Sequence, residues 1–392
     1  MTGEHPLTYL DNAATSFPKP AAVAEAMSAH LSGLAVNPGR SGFDLSLAAA
    51  AAVQAVRTDL AAFFNLPGGD ANRTVFTSNA TGAINLALQG VLRTGDHVVA
   101  TVLEHNSVLR PLHALAAAGR ITFDLAPCDK RGFVDTQAVA ALLRPATRLV
   151  VLNQASNVLG TLQPVAEIGR TCRERGILLL VDAAQSAGTL PVDMTAMNID
   201  LLAVTGHKGL QGPTGTGSLL VAPGVDVATT TWGGTGVRSA QLAHPEAYPY
   251  RLEAGTLNTT GIAGLGAGLA WLKAQDPAAL LAHERALTAR FLDGLRNLPK
   301  VHVLGREPDA PLDLDRHLPV VSLVVEGQDP ARTGLFLDAD WNIAVRTGLH
   351  CAPLVHAAMG TGELGAVRFS FGPRNTPAQV DRALDALSAL SA

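Results

Sequence analysis

The sequence predicts an α/β fold: a large domain on a mostly parallel seven-stranded sheet, then a smaller α+β C-terminal domain. Three observations predict it. Short apolar runs alternate with helical patterning from about residue 20 to residue 255. Those runs are apolar on both faces, as strands covered by helices on both sides must be. After Gly255 the alternation gives way to two consecutive helical stretches and a few strand-like runs. The 392 residues exceed the ~100–200 of a single domain. A large domain at 16–257 and a small domain at 258–392 are therefore expected, the latter joined by the N-terminal segment 1–15.

In chain order, apolar periodicity marks helices at 20–31, 45–63, 82–92, 165–175, 261–275, 277–298 and 377–390. The last follows Thr376-Pro377, a capping residue and a proline at the first helical position. β-Branched and leucine-rich runs at 74–77, 97–101, 121–125, 147–153, 177–182, 201–205 and 217–221 read as the seven strands. Runs at 318–325, 335–340, 343–346 and 367–371 make up the smaller unit.

Charge is balanced, with 29 basic and 33 acidic residues and a net of −4, so no nucleic-acid or anionic-membrane partner is expected. No apolar run approaches the ~18 residues that span a bilayer. The start, MTGEHPLTYLDN, lacks the basic and apolar regions of a signal peptide, so a cytoplasmic protein is expected. Three cysteines, Cys128, Cys172 and Cys351, are an odd number and far apart. That excludes a disulfide framework and fits a reducing compartment. No metal site is expected. Low charge and abundant Ala point to surface buried between subunits.

Ligands of open parallel sheets sit at the carboxyl ends of the strands. There the sequence places Asp182 and Gln185, Thr205 with His207 and Lys208, the Ser78–Gly82 stretch, Glu104 with His105, and Asn153 with Asn157. Five polar strand ends point to one shared site. A buried lysine loses proton affinity, which makes Lys208 a candidate Schiff-base amine. A carboxylate such as Asp182 at the end of a hydrophobic strand needs a cationic partner. An aspartate and a lysine on neighbouring strand ends suit pyridoxal phosphate, whose ring nitrogen needs the carboxylate and whose aldehyde needs the amine. Ser78–Gly82 opens a helix and offers amides and hydroxyls to a phosphate.

Cys351 stands in Arg346-Thr347-Gly348-Leu349-His350-Cys351-Ala352-Pro353, a loop broken by Gly and Pro. Nearby cations favour the reactive thiolate, so His350 and Arg346 are expected to activate this thiol. Cys128 and Cys172 lack such a setting and read as packing residues.

Tyr9–Thr15, Val181–Ser186, Thr205–Lys208 with Gly212–Gly215, and Arg346–Ala352 together resemble the class V aminotransferase family of fold-type-I pyridoxal phosphate enzymes, almost end to end. Within it the chain is similar to the cysteine desulfurases, nearest their group II (SufS-like) type. The resemblance implies that Lys208 bonds the cofactor aldehyde, Asp182 pairs with the ring nitrogen, Gln185 meets the ring hydroxyl and His105 stacks on the ring. It implies Ala80, Thr81, Thr205 and His207 at the phosphate, with Thr256 reaching the partner subunit's phosphate in a homodimer. Asn157, Arg346 and Arg368 would hold the substrate carboxylate, and Asn12 would help line the substrate pocket. The implied reaction converts L-cysteine to L-alanine, with a persulfide formed on Cys351 and passed to an acceptor protein or thiol. The alternatives are a selenocysteine lyase, another class V activity, or an inactive sulfur-transfer scaffold. Phe43 departs from the pattern, which expects histidine there, and Ser-Asn-Ala-Thr at 78–81 has one threonine where two are common.

Overall fold

Runs apolar on both faces fold into one sheet with a hydrophobic layer on each side. The computed structural model describes residues 6–38, 42–306 and 313–391. In chain order the large part contains α1 (Ala21–Gly33), α2 (Asp44–Phe63), β2 (Thr74–Thr77), α3 (Ala80–Val91), β3 (Asp96–Thr101) and α4 (Asn106–Ala117), after a short β1 (Thr8–Tyr9). It continues with β4 (Ile121–Ala126), α5 (Thr136–Leu142), β5 (Thr147–Asn153), α6 (Val165–Glu174), β6 (Leu178–Asp182), β7 (Leu201–Thr205) and β8 (Gly217–Val221). The seven-stranded sheet runs β2-β8-β7-β6-β5-β3-β4. Only β8 pairs antiparallel to its neighbours.

Alternation along each strand sorts the side chains. Val150, Leu152, Leu179, Val181 and Leu202 join one layer with residues of α2 and α6. Leu149, Val151, Leu180, Leu201 and Ala203 join the other with residues of α3 and α4. Each fully buried Leu or Val contributes about 1.5–3 kcal/mol, so the central strands anchor the molecule.

The rest of the chain forms α7 (Thr259–Ala274), α8 (Pro277–Leu295), β9 (Val301–Val303), β10 (Val320–Val325), α9 (Pro330–Trp341), β11 (Ile343–Ala344), β12 (Arg346–Gly348), α10 (Pro353–Ala358), β13 (Ala366–Ser370) and α11 (Pro377–Ser391). Its four-stranded sheet, β12-β13-β10-β9, is antiparallel. α8, α9 and α11 share its core around Phe291 and Phe369. β1 pairs parallel with β11, and Asp11 bridges to Ser370, which stitches the N-terminal segment to this part.

α7 lies just after residue 257 yet packs Ile262, Leu265 and Leu269 into the core of the large sheet. Its Gly268 is required by contact: a Cβ there would lie 2.7 Å from the Leu210 carbonyl oxygen, so α7 backs directly onto the loop after Lys208.

α4 carries Pro111 and does not announce itself as a helix. The proline removes one backbone bond. The buried face of Val108, Leu112 and Leu115 outweighs that loss. α10 is likewise a helix that the sequence pattern did not mark. The run at 335–340, expected as a strand, instead lies inside α9, which buries Leu337 in the core of the small sheet.

Candidate active site

The ends of β2, β7, β6, β5 and β3 meet the 346–351 loop around one cavity of about 290 Å3. Twelve of the expected residues line it: Ala80, Thr81, His105, Asn157, Asp182, Gln185, Thr205, His207, Lys208, Arg346, Cys351 and Arg368. Close packing at one glycine makes the arrangement possible. A Cβ on Gly217, the first residue of β8, would come within 2.6–2.7 Å of the Asn79 backbone, so only glycine lets the turn before α3 rest on the sheet.

The deep wall holds opposite charges in a poor solvent. Asp182 ends β6, which runs beside β7, and Lys208 follows the end of β7. The Asp182 carboxylate accepts the Ala184 N–H at 2.9 Å. Burial pushes its pKa up, opposed by that bond and by the Lys208 charge. Burial also pulls the Lys208 amine down to about 8, with Asp182 opposing and Arg368 adding to the effect. A free-base amine is therefore accessible near neutral pH.

At the next wall, Asn79 caps α3 by accepting the Gly82 N–H at 2.9 Å, leaving the first amides of the helix directed outward. Among the described residues, Thr205 Oγ1 and His207 Nδ1 are buried here without a protein partner. The N-terminal segment clamps the His207 carbonyl, which accepts the Thr15 hydroxyl at 2.9 Å and the Lys19 ammonium at 2.6 Å. His105 accepts the Ser107 N–H at Nδ1 (3.0 Å), and burial, then Lys208, drives its pKa to about 4. It is a neutral ring at physiological pH. The Ser107 hydroxyl lies 2.6 Å from that of Thr81, tying this histidine to the α3 turn.

These donors fit pyridoxal phosphate. A helix N-terminus with two unpartnered polar atoms suits a dianion. A buried carboxylate with a single N–H donor suits a protonated ring nitrogen, and a buried amine suits an aldehyde.

The opposite wall belongs to the small sheet. Arg368 of β13 is buried; it donates to the Asn157 carbonyl at 3.0 Å and pairs with Asp11 at 2.7 Å, while its Nε has no partner among the described residues. Arg346 stands opposite it in the β12–β13 register and is exposed. Cys351 is exposed, and with His350 it takes a left-handed conformation (φ 56° and 51°). That costs about 1–2 kcal/mol for each such non-glycine residue. The turn is held by its carbonyls: His350 O accepts Asn157 Nδ2 at 2.7 Å, and Cys351 O accepts Asn106 N–H at 2.7 Å.

One expectation fails here. His350 is not a cation beside the thiol, because burial, then Arg368, lowers its pKa to about 3. Of the other thiols, Cys172 is buried and pushed up to about 12, and half-buried Cys128 is also raised by burial.

The structure does not bring Asn12 or Thr256 into this cavity. Asn12 Nδ2 donates to the Ser370 carbonyl and to Asn375 Oδ1, both at 3.0 Å, and its Oδ1 accepts the Phe17 N–H at 3.3 Å. It lines a neighbouring cavity of about 40 Å3 instead. Thr256 lines a separate cavity of about 360 Å3 beside the buried Arg57–Glu253 pair. Sequence reasoning missed two residues that serve this site: Asp11 holds Arg368, and Ser107 holds His105. Glu104, named only as a polar strand end, lies behind the cavity and accepts the Thr101 hydroxyl at 2.6 Å and the Asn153 N–H at 3.2 Å. Burial raises its pKa to about 8. Its position at the end of β3 was the only available signal.

Residues 8–383 match the family model described as "Aminotransferase class-V". The chain belongs to the class-V aminotransferase family. A probable cysteine desulfurase of Pseudomonas aeruginosa is 37% identical over 384 residues, covering 96% of this chain and 92% of the relative. The apo structure of a cysteine desulfurase from Thermococcus onnurineus superposes with a TM-score of 0.90 at 32% identity, covering 98% of this chain and 94% of that one. A cysteine desulfurase from Escherichia coli, in an S-sulfonic acid form, gives 0.86 at 30% identity with the same coverage. The class-V fold is thus the fold-type-I architecture expected from the sequence. Among the described residues no helix is long and apolar enough to cross a membrane.

Proposed function

We propose that this chain is a pyridoxal-phosphate-dependent cysteine desulfurase of the group II (SufS-like) type. One observation carries the reading: an exposed cysteine and a buried lysine with lowered proton affinity face the same cavity. Relatives and solved structures named as cysteine desulfurases support it.

Bound pyridoxal phosphate supplies an electron sink for the substrate's Cα and Cβ. The Asp182 carboxylate would keep the ring nitrogen protonated, Gln185 would meet the ring hydroxyl and neutral His105 would pack against the ring. Ala80, Thr81, Thr205 and His207 receive the phosphate. Arg368, through its unpartnered Nε, and Asn157 hold the substrate carboxylate, with Arg346 at the open side. Lys208 in its free-base form takes the Cα proton and returns a proton to Cα after the Cβ–S bond has broken. The Cys351 thiolate then attacks the substrate sulfur: an S–S bond forms, the Cβ–S bond breaks, and the electron pair left on Cβ is protonated. L-Cysteine and the enzyme thiol thus become L-alanine and the Cys351 persulfide. The outer sulfur leaves to an acceptor protein or thiol.

The reading includes a cytoplasmic homodimer. Phe43 (49% exposed), Leu45 and Leu47 at the start of α2, with Trp232 (71%) and Tyr250, leave apolar surface uncovered on the single chain. The Thr256 cavity lies between α2 and the 235–257 segment. Dimerisation through this face buries that surface and carries Thr256 to the partner's phosphate.

Cys351→Ser is the decisive variant. Cofactor loading and L-cysteine binding are retained, and alanine formation from L-cysteine falls by roughly two orders of magnitude or more. Alanine production at the wild-type rate by Cys351→Ser overturns the assignment.

A further inference from the structure

We propose that His356 and Thr361 are positioning residues for sulfur transfer: with the His350 ring they form a hydrogen-bonded strut that fixes the turn presenting Cys351. The proposal rests on Cys351 being the sulfur carrier.

The strut reads as one chain of bonds. His350 Nε2 faces the Arg346 carbonyl oxygen at 3.3 Å, His350 Nδ1 faces His356 Nε2 at 3.2 Å, and His356 Nδ1 faces the Thr361 hydroxyl at 2.8 Å. A carbonyl only accepts, so His350 carries its hydrogen on Nε2 and accepts at Nδ1. His356 must then donate from Nε2, and its Nδ1 accepts from Thr361. The tautomers are assigned by this network, and each atom in it has one consistent role. Both imidazoles are buried, His350 at 5% and His356 at 0% exposure, and their ring planes lie within 27° of each other with centroids 5.4 Å apart, as an edge-to-edge ring–ring bond requires. Burial lowers the proton affinity of both, so the chain runs through neutral rings.

Its ends explain its use. Arg346 begins β12, His356 lies in α10, and Thr361 folds back on that helix by donating its N–H to the His356 carbonyl at 3.0 Å. The strut therefore ties strand to helix across the two left-handed residues, His350 and Cys351. Asn157 and Asn106 hold the carbonyls of that turn from the large-sheet side. The ring network holds it from the other. If the His356 donor is removed, His350 Nδ1 is left buried without a partner. The turn can then relax toward ordinary backbone angles, which redirects the thiol.

The test compares three variants in the cofactor-loaded enzyme. His356→Leu removes the donor, Thr361→Val removes the far end, and His356→Gln keeps an N–H close to the position of Nε2. The strut predicts that kcat for alanine formation falls roughly tenfold in His356→Leu, with KM for cysteine unchanged, and returns to within about threefold in His356→Gln. Alkylation of Cys351 by iodoacetamide at fixed pH changes in parallel, whereas exchange of the cysteine Cα hydrogen with D2O, which needs bound substrate and the lysine wall but not the thiol, stays at the wild-type rate. Thr361→Val carries the test if His356→Leu does not fold, with the same split and a smaller loss. Equal losses of exchange and sulfur transfer overturn the strut, as do unchanged rates in both variants or failure of His356→Gln to recover. Cys351→Ser assayed alongside separates the two ideas: if it still forms alanine, the sulfur-carrier reading fails whatever the strut variants do.

Discussion

At the lysine wall of the cavity, Asp182 ends one strand of the large sheet and Lys208 follows the next, whereas at the cysteine wall His350 and Cys351 occupy a left-handed turn between a three-residue strand and a six-residue helix. The first wall is fixed by strand pairing and by two apolar layers. Few alternative placements exist for a residue at the end of such a strand. The second wall has little regular structure, and its geometry depends on individual bonds from Asn157, Asn106, His356 and Arg346. Burial of the reacting groups themselves, the Lys208 amine and the Cys351 thiol, follows the same division. The lysine wall alters proton affinities, lowering Lys208 to about 8 and His105 to about 4. The cysteine wall leaves its thiol exposed. Proton chemistry at Cα calls for a rigid, dry setting, whereas a sulfur that must leave the enzyme calls for access.

Breaking the lysine wall has the largest expected effect. With Lys208 proposed as both the cofactor's covalent partner and the base at Cα, Lys208→Ala is expected to drop turnover of L-cysteine roughly 10^4-fold. Cα hydrogen exchange in D2O disappears with it. Persistence of exchange in Lys208→Ala places the base elsewhere and dissolves the contrast between the walls.

The two walls also differed in how far the sequence disclosed them. Strands β5, β6 and β7 were legible because Leu149–Leu152, Leu179–Val181 and Leu201–Val204 are apolar at every position, and the polar residues that end them were legible as a site for that reason. The cysteine loop disclosed its residue types but not their directions. His350 adjoins Cys351 in sequence, yet its ring turns inward to His356, because side-chain direction in a turn follows backbone angles that no periodicity encodes. Asn12 follows the same logic: its neighbours match the family pattern, but its amide is spent on Ser370 and Asn375, more than three hundred residues away in the chain. The Arg368–Asp11 pair escaped notice because the N-terminal segment meets β13 only in the folded chain.

Arg368 joins the walls, so replacing it sharpens the comparison at intermediate size. Its guanidinium meets Asn157 and Asp11 at once, in a fork that an ammonium cannot reproduce. Arg368→Lys keeps the charge and loses the geometry. KM for L-cysteine rises roughly 10–100-fold, the range expected when one charge-assisted hydrogen bond is lost, while kcat changes less. An unchanged KM means that the substrate carboxylate is held by another group.

The smallest effect on turnover, and the clearest on stability, is expected behind the lysine wall. Glu104 is fully buried, and its pKa is raised from 4.5 to about 8, chiefly by desolvation. Between those values the folded chain holds a proton that the unfolded chain has released. Stability conferred by the neutral acid is thus complete below about pH 4.5 and lost as pH rises toward 8. Glu104→Gln keeps the shape without the titration. It should flatten this fall by up to about 1.4 kcal/mol per pH unit, with turnover at neutral pH within a few-fold of wild type. Part of the fall remains, because Glu284 is buried and raised to about 8 in the same way. Urea midpoints measured at pH 5, 6, 7 and 8 decide the matter. If wild type and Glu104→Gln lose stability in step, Glu104 is ionised in the folded chain and the lysine wall contains a buried charge. If the variant is flatter, the wall is backed by a neutral acid, and Asp182 is left as the carboxylate proposed for the ring nitrogen.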